Sequence, residues 1–183
     1  MVYVPRLPSI DATNASILES CDQKRPVSLL SGMDNHRAGL GEMSERTSDE
    51  VKKNPGYEGH LNHRVAALPE VLKANGYRTY MVGKWHLGED ERTIPHARGF
   101  DETFVLVDGG GSHWADSKWV TPTIPMTYRR NGKELASLPE DFYSSKDYTD
   151  ALLEWIKRDQ GSDQPFFAYL SYTAPHDPLH APR

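Results

Sequence analysis

The sequence predicts a layered α/β fold with helices covering the sheet, and three observations carry that reading. Four residues, Thr79 to Val82, read as a buried strand directly after a short helix that Gly76 can stop. Behind Pro165, the run Phe166-Phe167-Ala168-Tyr169-Leu170-Ser171-Tyr172 is nearly all apolar, which suits a strand covered on both faces. Ahead of that run, Tyr148, Leu152, Trp155 and Ile156 recur at spacings of three to four, the stripe of an amphipathic helix. Helical and extended segments in alternation point to a layered domain, not a bundle or a sandwich.

The 183 residues suffice for one domain with a core, at 37% hydrophobic and 26% charged residues. A net charge of -5 argues against a nucleic-acid footprint, so any anionic ligand must meet a local basic cluster. One cysteine excludes an internal disulfide. No apolar run approaches a membrane span, and the N-terminus has no secretory apolar segment, which makes the cytoplasm the default expectation.

Taken in order, residues 1–20 hold little pattern, with Pro5 and Pro8 breaking any element. Residues 42–60 are polar and Gly/Pro-punctuated, a surface loop with His60 and His63 in or beside it as exposed histidines. Leu61, Val65, Leu68 and Leu72 have helical spacing, but Pro69 interrupts it. The expectation is a break near Ala67 and a second helix opened by Pro69 and running through Asn75. After the strand Thr79–Val82, Gly83 frees the backbone, followed by Lys84, Trp85 and His86. Extended backbone past Gly83 would point Lys84 and His86 to one side and Trp85 to the other, joining a cation and an imidazole at a strand end. Glu89 to Phe100 reads as a loop and Phe104 to Val107 as a short strand. Gly109-Gly110-Gly111 then lacks the Lys-Ser/Thr partner of a phosphate loop, and His113 after it reads equally well as a packed surface histidine or a ligand contact. Trp119 to Leu138 looks hairpin-like around the Asn131-Gly132 turn. Ser144 or Ser145 is the expected helix cap, and the helix ends around Asp159.

Gly76-Tyr77-Arg78-Thr79 with Gly83-Lys84-Trp85-His86-Leu87-Gly88 resembles the second signature of the type I sulfatases. Pro95-His96-Ala97-Arg98-Gly99-Phe100, Pro165-Phe166-Phe167-Ala168-Tyr169 and Ala174-Pro175-His176 follow in that family's order. The pattern covers roughly Leu29 to Arg183 and is most similar to the bacterial and fungal arylsulfatase branch. Cys21 to Gly41 resembles the first signature, in which the cysteine becomes formylglycine. Cys21 and Arg25 keep the family's spacing, although Gln23 stands where the maturation motif has proline. Counting back from Gly32 instead places Asp22 and Pro26 at the two positions.

The resemblance implies an alkaline-phosphatase-like mixed sheet and a sulfuric ester hydrolase acting on small-molecule sulfate esters. It makes Cys21 the precursor of the nucleophile, also touching the metal once converted, and Arg25 its support. It gives Lys84, His86 and His176 as sulfate contacts, with His86 also a proton carrier, and places His113 near the site mouth. A divalent cation, usually calcium, completes that family's centre. The paired aspartates opening the family have no counterpart, since Asp49-Glu50 and Glu89-Asp90 follow no apolar strand. The later Asp-Asn ligands and second lysine lie past Arg183. The expectation is therefore a partial catalytic domain over residues 1–183, truncated at both ends, that binds metal poorly on its own. A phosphoester or phosphonate hydrolase of the same superfold, or a non-catalytic remnant, are the alternatives.

Overall fold

Two parallel pairings meet on one strand. The computed structural model describes residues 24–116 and 126–182. β1 (Arg78–Lys84) runs parallel to β2 (Glu102–Leu106) on one side and to β5 (Phe166–Ser171) on the other. β2 pairs antiparallel with β3 (Tyr128–Arg130), and β3 with β4 (Lys133–Glu134), giving the order β4-β3-β2-β1-β5. The sheet is mixed, as expected.

Strand alternation divides the apolar residues between two cores. Met81, Val105, Phe167 and Tyr169 face one side. There they meet Val27 and Leu30 of α1 (Lys24–Ser31), Ala38 of the one-turn α2 (Asn35–Ala38), and Leu61, Trp85, Leu87 and Phe100. Tyr80, Val82, Phe104, Leu106 and Phe166 face the other side. They pack under Tyr148, Leu152 and Trp155 of α5 (Ser144–Arg158). Both faces are covered, which explains the near-continuous apolar strands.

β1 runs longer than periodicity alone indicated, whereas β5 stops at Ser171, one residue short of the apolar run. β1 continues through Gly83 to Lys84, because Gly83 takes a φ of +105° and lies against the main chain of Ser171, where a Cβ would collide. The hairpin turns at Asn131-Gly132 as expected, both with positive φ; Trp119 to Pro125 of the expected extended segment lie outside the described residues.

Three local readings are corrected. Residues 61–67 form no helix; only α4 (Leu68–Ala74) does, with Pro69 in its first turn. The buried Arg98 guanidinium takes the carbonyls of Leu61, Asn62 and Val65, which a helix would need for itself. The polar stretch 42–60 contains a 3-10 turn, Ser44–Arg46, and the one-turn α3 (Asp49–Lys52), capped by the Ser48 hydroxyl. Neither serine caps α5. Tyr143 is its cap residue, and the Asp147 carboxylate accepts the Tyr143 amide at 2.8 Å.

Candidate active site

The C-terminal ends of three parallel strands deliver the candidate residues to one rim, the usual place for a ligand crevice in an open α/β sheet. β1 ends at Lys84, two residues before His86; β2 leads to Asp108 and Gly109; β5 leads to Thr173 and His176.

Lys84 is paired in register with Leu106, so its side chain leaves the sheet on the α5 face, and it is 4% exposed. Trp85 goes to the opposite core, where its Nε1 donates to the Thr93 carbonyl at 3.0 Å and its ring meets Phe100 edge-on. That opposition of Lys84 and Trp85 matches the expectation. His86 departs from it: its φ is +55°, so it is not a third extended residue. Its amide donates to Val107 at 3.0 Å, tying the turn to the strand after β2.

The glycine run is the floor beneath two imidazoles. A Cβ at Gly109 would fall 2.5–3.0 Å from three atoms of the His86 ring, and one at Gly110 would fall 2.7–2.8 Å from two atoms of the His176 ring. Adjacent backbone positions therefore carry the two rings, although 90 residues separate His86 from His176. The run does not cradle phosphate; its missing side chains make room for histidines.

His113 is buried, 1% exposed, so it is packed but is no surface histidine. Its Nδ1 lies 2.8 Å from the Ser144 hydroxyl, and its carbonyl accepts the Ser144 amide at 2.9 Å. Burial pushes the imidazole below the usual histidine range; hydrogen bonds that the main-chain carbonyls of His176 and Pro178 accept oppose this, and the nearby charges of His180 and His176 reinforce it. His180, which matches no motif, accepts the His113 amide at 3.4 Å through Nδ1. His113 thus joins the His176 loop from beneath.

Two acidic groups face His86. Glu45, on the turn Ser44–Arg46, places both carboxylate oxygens 3.3 Å from His86 Nε2. That contact holds the Glu45 carboxyl down at about 2, against the opposing effect of burial. Burial raises the Asp108 carboxyl, while the Thr127 amide donating at 2.6 Å opposes the rise. Sequence reasoning missed Glu45 entirely; 41 residues separate it from His86 and no motif links them.

Cys21 and the Arg25 side chain lie outside the described residues. Among the described residues no group of three or more His, Cys, Asp or Glu is placed to hold a metal ion, so they do not fit the calcium centre that the resemblance implies. No described helix is long and apolar enough to cross a membrane. A concavity of about 300 Å³ lined by Arg78, Tyr80, Asp159 and Gln164 lies at the opposite, N-terminal end of β1 and β5. Its polar groups are spent on one another, Arg78 pairing with Asp159 at 2.5 Å and with Gln164 at 2.9 Å.

A family model described as Sulfatase matches residues 19–183. An uncharacterized sulfatase of Schizosaccharomyces pombe is 45% identical over 181 residues, covering 93% of this chain and 32% of that protein. An arylsulfatase of Klebsiella aerogenes is 43% identical over 161 residues, covering 84% and 33%. This chain spans about a third of the length of these relatives. Among solved structures, Ps i-CgsB in complex with k-i-k-neocarrahexaose superposes with a TM-score of 0.70 at 24% identity, over 88% of this chain and 36% of that one, a likeness of fold.

Proposed function

The chain belongs to the sulfatase family, and on that premise we propose that it is part of an arylsulfatase-type sulfuric ester hydrolase acting on small-molecule sulfate esters. The observation that carries this reading is the seating of the His86 and His176 rings on Gly109 and Gly110, at the strand ends that also carry Lys84. A sulfate monoester presents anionic oxygens. A lysine ammonium and imidazole N–H groups are the donors that bind them and stabilise charge as the S–O bond breaks.

In this reading Cys21 is converted to formylglycine, and Arg25 supports it. One hydroxyl of the aldehyde hydrate attacks sulfur, the ester S–O bond breaks, and the alcohol leaves with a proton. The second hydroxyl then gives up its proton, the carbon–oxygen bond to sulfate breaks, and the aldehyde returns. Lys84, His86 and His176 hold the sulfuryl oxygens, and His86 carries a proton. His113 lies behind the His176 loop and supports it, since its ring is buried against Ser144. The S. pombe and K. aerogenes relatives support sulfate over phosphate through their names.

Two measurements test the reading. Mass spectrometry of the Cys21 peptide should show the loss of sulfur that marks the aldehyde, and a complete sulfatase carrying this chain should release more alcohol from an aryl sulfate than from an aryl phosphate. An unmodified thiol with no sulfate turnover overturns it.

A further inference from the structure

We infer that Glu45 is a positioning residue for His86, fixing one proton on Nε2 and making Nδ1 the nitrogen through which His86 takes up the proton it carries and donates to the sulfate. The inference rests on the reading of His86 as a sulfate contact.

The geometry is closed on several sides. Both Glu45 oxygens stand 3.3 Å from Nε2, a forked acceptor that a protonated Nε2 satisfies and an unprotonated one repels. The Cε1 edge of the same ring is pressed on Gly109, so it cannot rotate toward that side without moving the backbone. The main chain of His86 is held by Val107 and by its left-handed conformation. Nor does Glu45 drift. Ser44 beside it packs on Gly59, where a Cβ would sit 3.0 Å from the Ser44 hydroxyl, and Thr47 closes the turn by donating to the Met43 carbonyl at 2.7 Å.

Other charges around the ring do not replace this contact. Asp108, at the end of β2, is already bonded by the Thr127 amide and is weakened as an anion by burial. Glu89, in the loop after β1, reaches Asp108 through space. Arg46, next to Glu45, and Lys84, two residues before His86, are cations and cannot accept the proton. The hydrogen bond to His86 is also the largest effect on the Glu45 carboxyl.

An ion pair kept only for stability would be a poor use of this arrangement. The Glu45 side chain is 52% exposed, and exposed pairs contribute little. A carboxylate behind an imidazole instead sets its tautomer and orientation, and losing such a partner lowers activity on the order of tenfold or more.

The test uses the whole chain labelled with 15N-histidine, in wild type, Glu45→Ala and Glu45→Asp. Two-bond nitrogen–proton correlations at neutral pH should show His86 protonated at Nε2 in wild type and Glu45→Asp. In Glu45→Ala they should show a shift toward the Nδ1-protonated form, with the buried His113 signals unchanged as the control for folding. In a complete sulfatase carrying this chain, aryl sulfate turnover should fall about tenfold in Glu45→Ala, mainly in kcat, and recover in Glu45→Asp. An unprotonated Nε2 in wild type, or an identical His86 pattern in Glu45→Ala, overturns the inference, as does a changed tautomer with unchanged turnover. If the complete wild-type protein turns over no sulfate, the proposed activity fails, and the tautomer alone decides the role of Glu45.

Discussion

His113 and Ser144 hold each other by two bonds: the Ser144 amide donates to the His113 carbonyl at 2.9 Å, and its hydroxyl meets His113 Nδ1 at 2.8 Å. The first turn of α5 is thereby locked to the segment following the glycine run. This pair ties the helix on one face of the sheet to the rim that carries the candidate site.

Ser144→Ala leaves the buried imidazole without its side-chain partner while keeping a good helix former. We expect a loss of roughly 1–3 kcal/mol, read as a lower urea midpoint with unchanged slope. An unaltered midpoint would show that the side-chain bond contributes nothing beyond the main-chain one.

Gly109→Ala and Gly110→Ala separate the two imidazoles experimentally. Neither glycine has positive φ, so alanine fits the backbone and only space is at issue. Gly109→Ala should move the proton resonances of His86 and Gly110→Ala those of His176, each at retained far-UV dichroism. In a complete sulfatase each should reduce turnover on the order of 100-fold, as small displacements of reacting groups do. Equal perturbation of both rings by either change would contradict the two-seat arrangement.

Arg98 is fully buried and bonds Glu70 at 2.7 Å as well as the carbonyls of Leu61, Asn62 and Val65. Arg98→Ala leaves three buried carbonyls without this donor, while Glu70 keeps the Ala67 amide, and should cost about 3–5 kcal/mol. Arg98→Lys should rescue little, since an ammonium cannot reach that fork of partners. Thermal unfolding of both variants checks this.

The Glu45 carboxyl sits at about 2, below the ordinary 4.5. Its depressed value means that its contribution to stability is complete above about 4.5 and is lost as pH falls through about 2. Because the pair is half exposed the gap is small, but acid unfolding curves of wild type and Glu45→Gln should be separated at mildly acidic pH and converge as pH falls toward that value. A gap that widens on acidification would refute the assignment.

Much of the frame was legible because it rests on local pattern. The apolar runs at Thr79–Val82 and Phe166–Tyr172, the stripe on α5 and the Asn131-Gly132 turn are each written within a few residues. What escaped was set by distant partners. Spacing alone suggested a helix over 61–67, and Arg98, more than 30 residues on, takes its carbonyls. Ser144 reads as a cap until His113 claims its hydroxyl. Lys84, His86 and His176 are singled out by motif order, whereas Glu45 lies in a polar stretch with no periodic signal. Three glycines directly after a strand were the one available hint that something bulky approaches the backbone there.

Gly83 has a consequence for how tolerant the rim is to change. With no side chain at that rung, neighbouring rods touch through their peptide groups, and the separation of the two histidine-bearing segments becomes a lattice constant of the sheet, about 4.8 Å per strand. Replacements deeper in either core can then shift volume and shape without altering the spacing between those two segments.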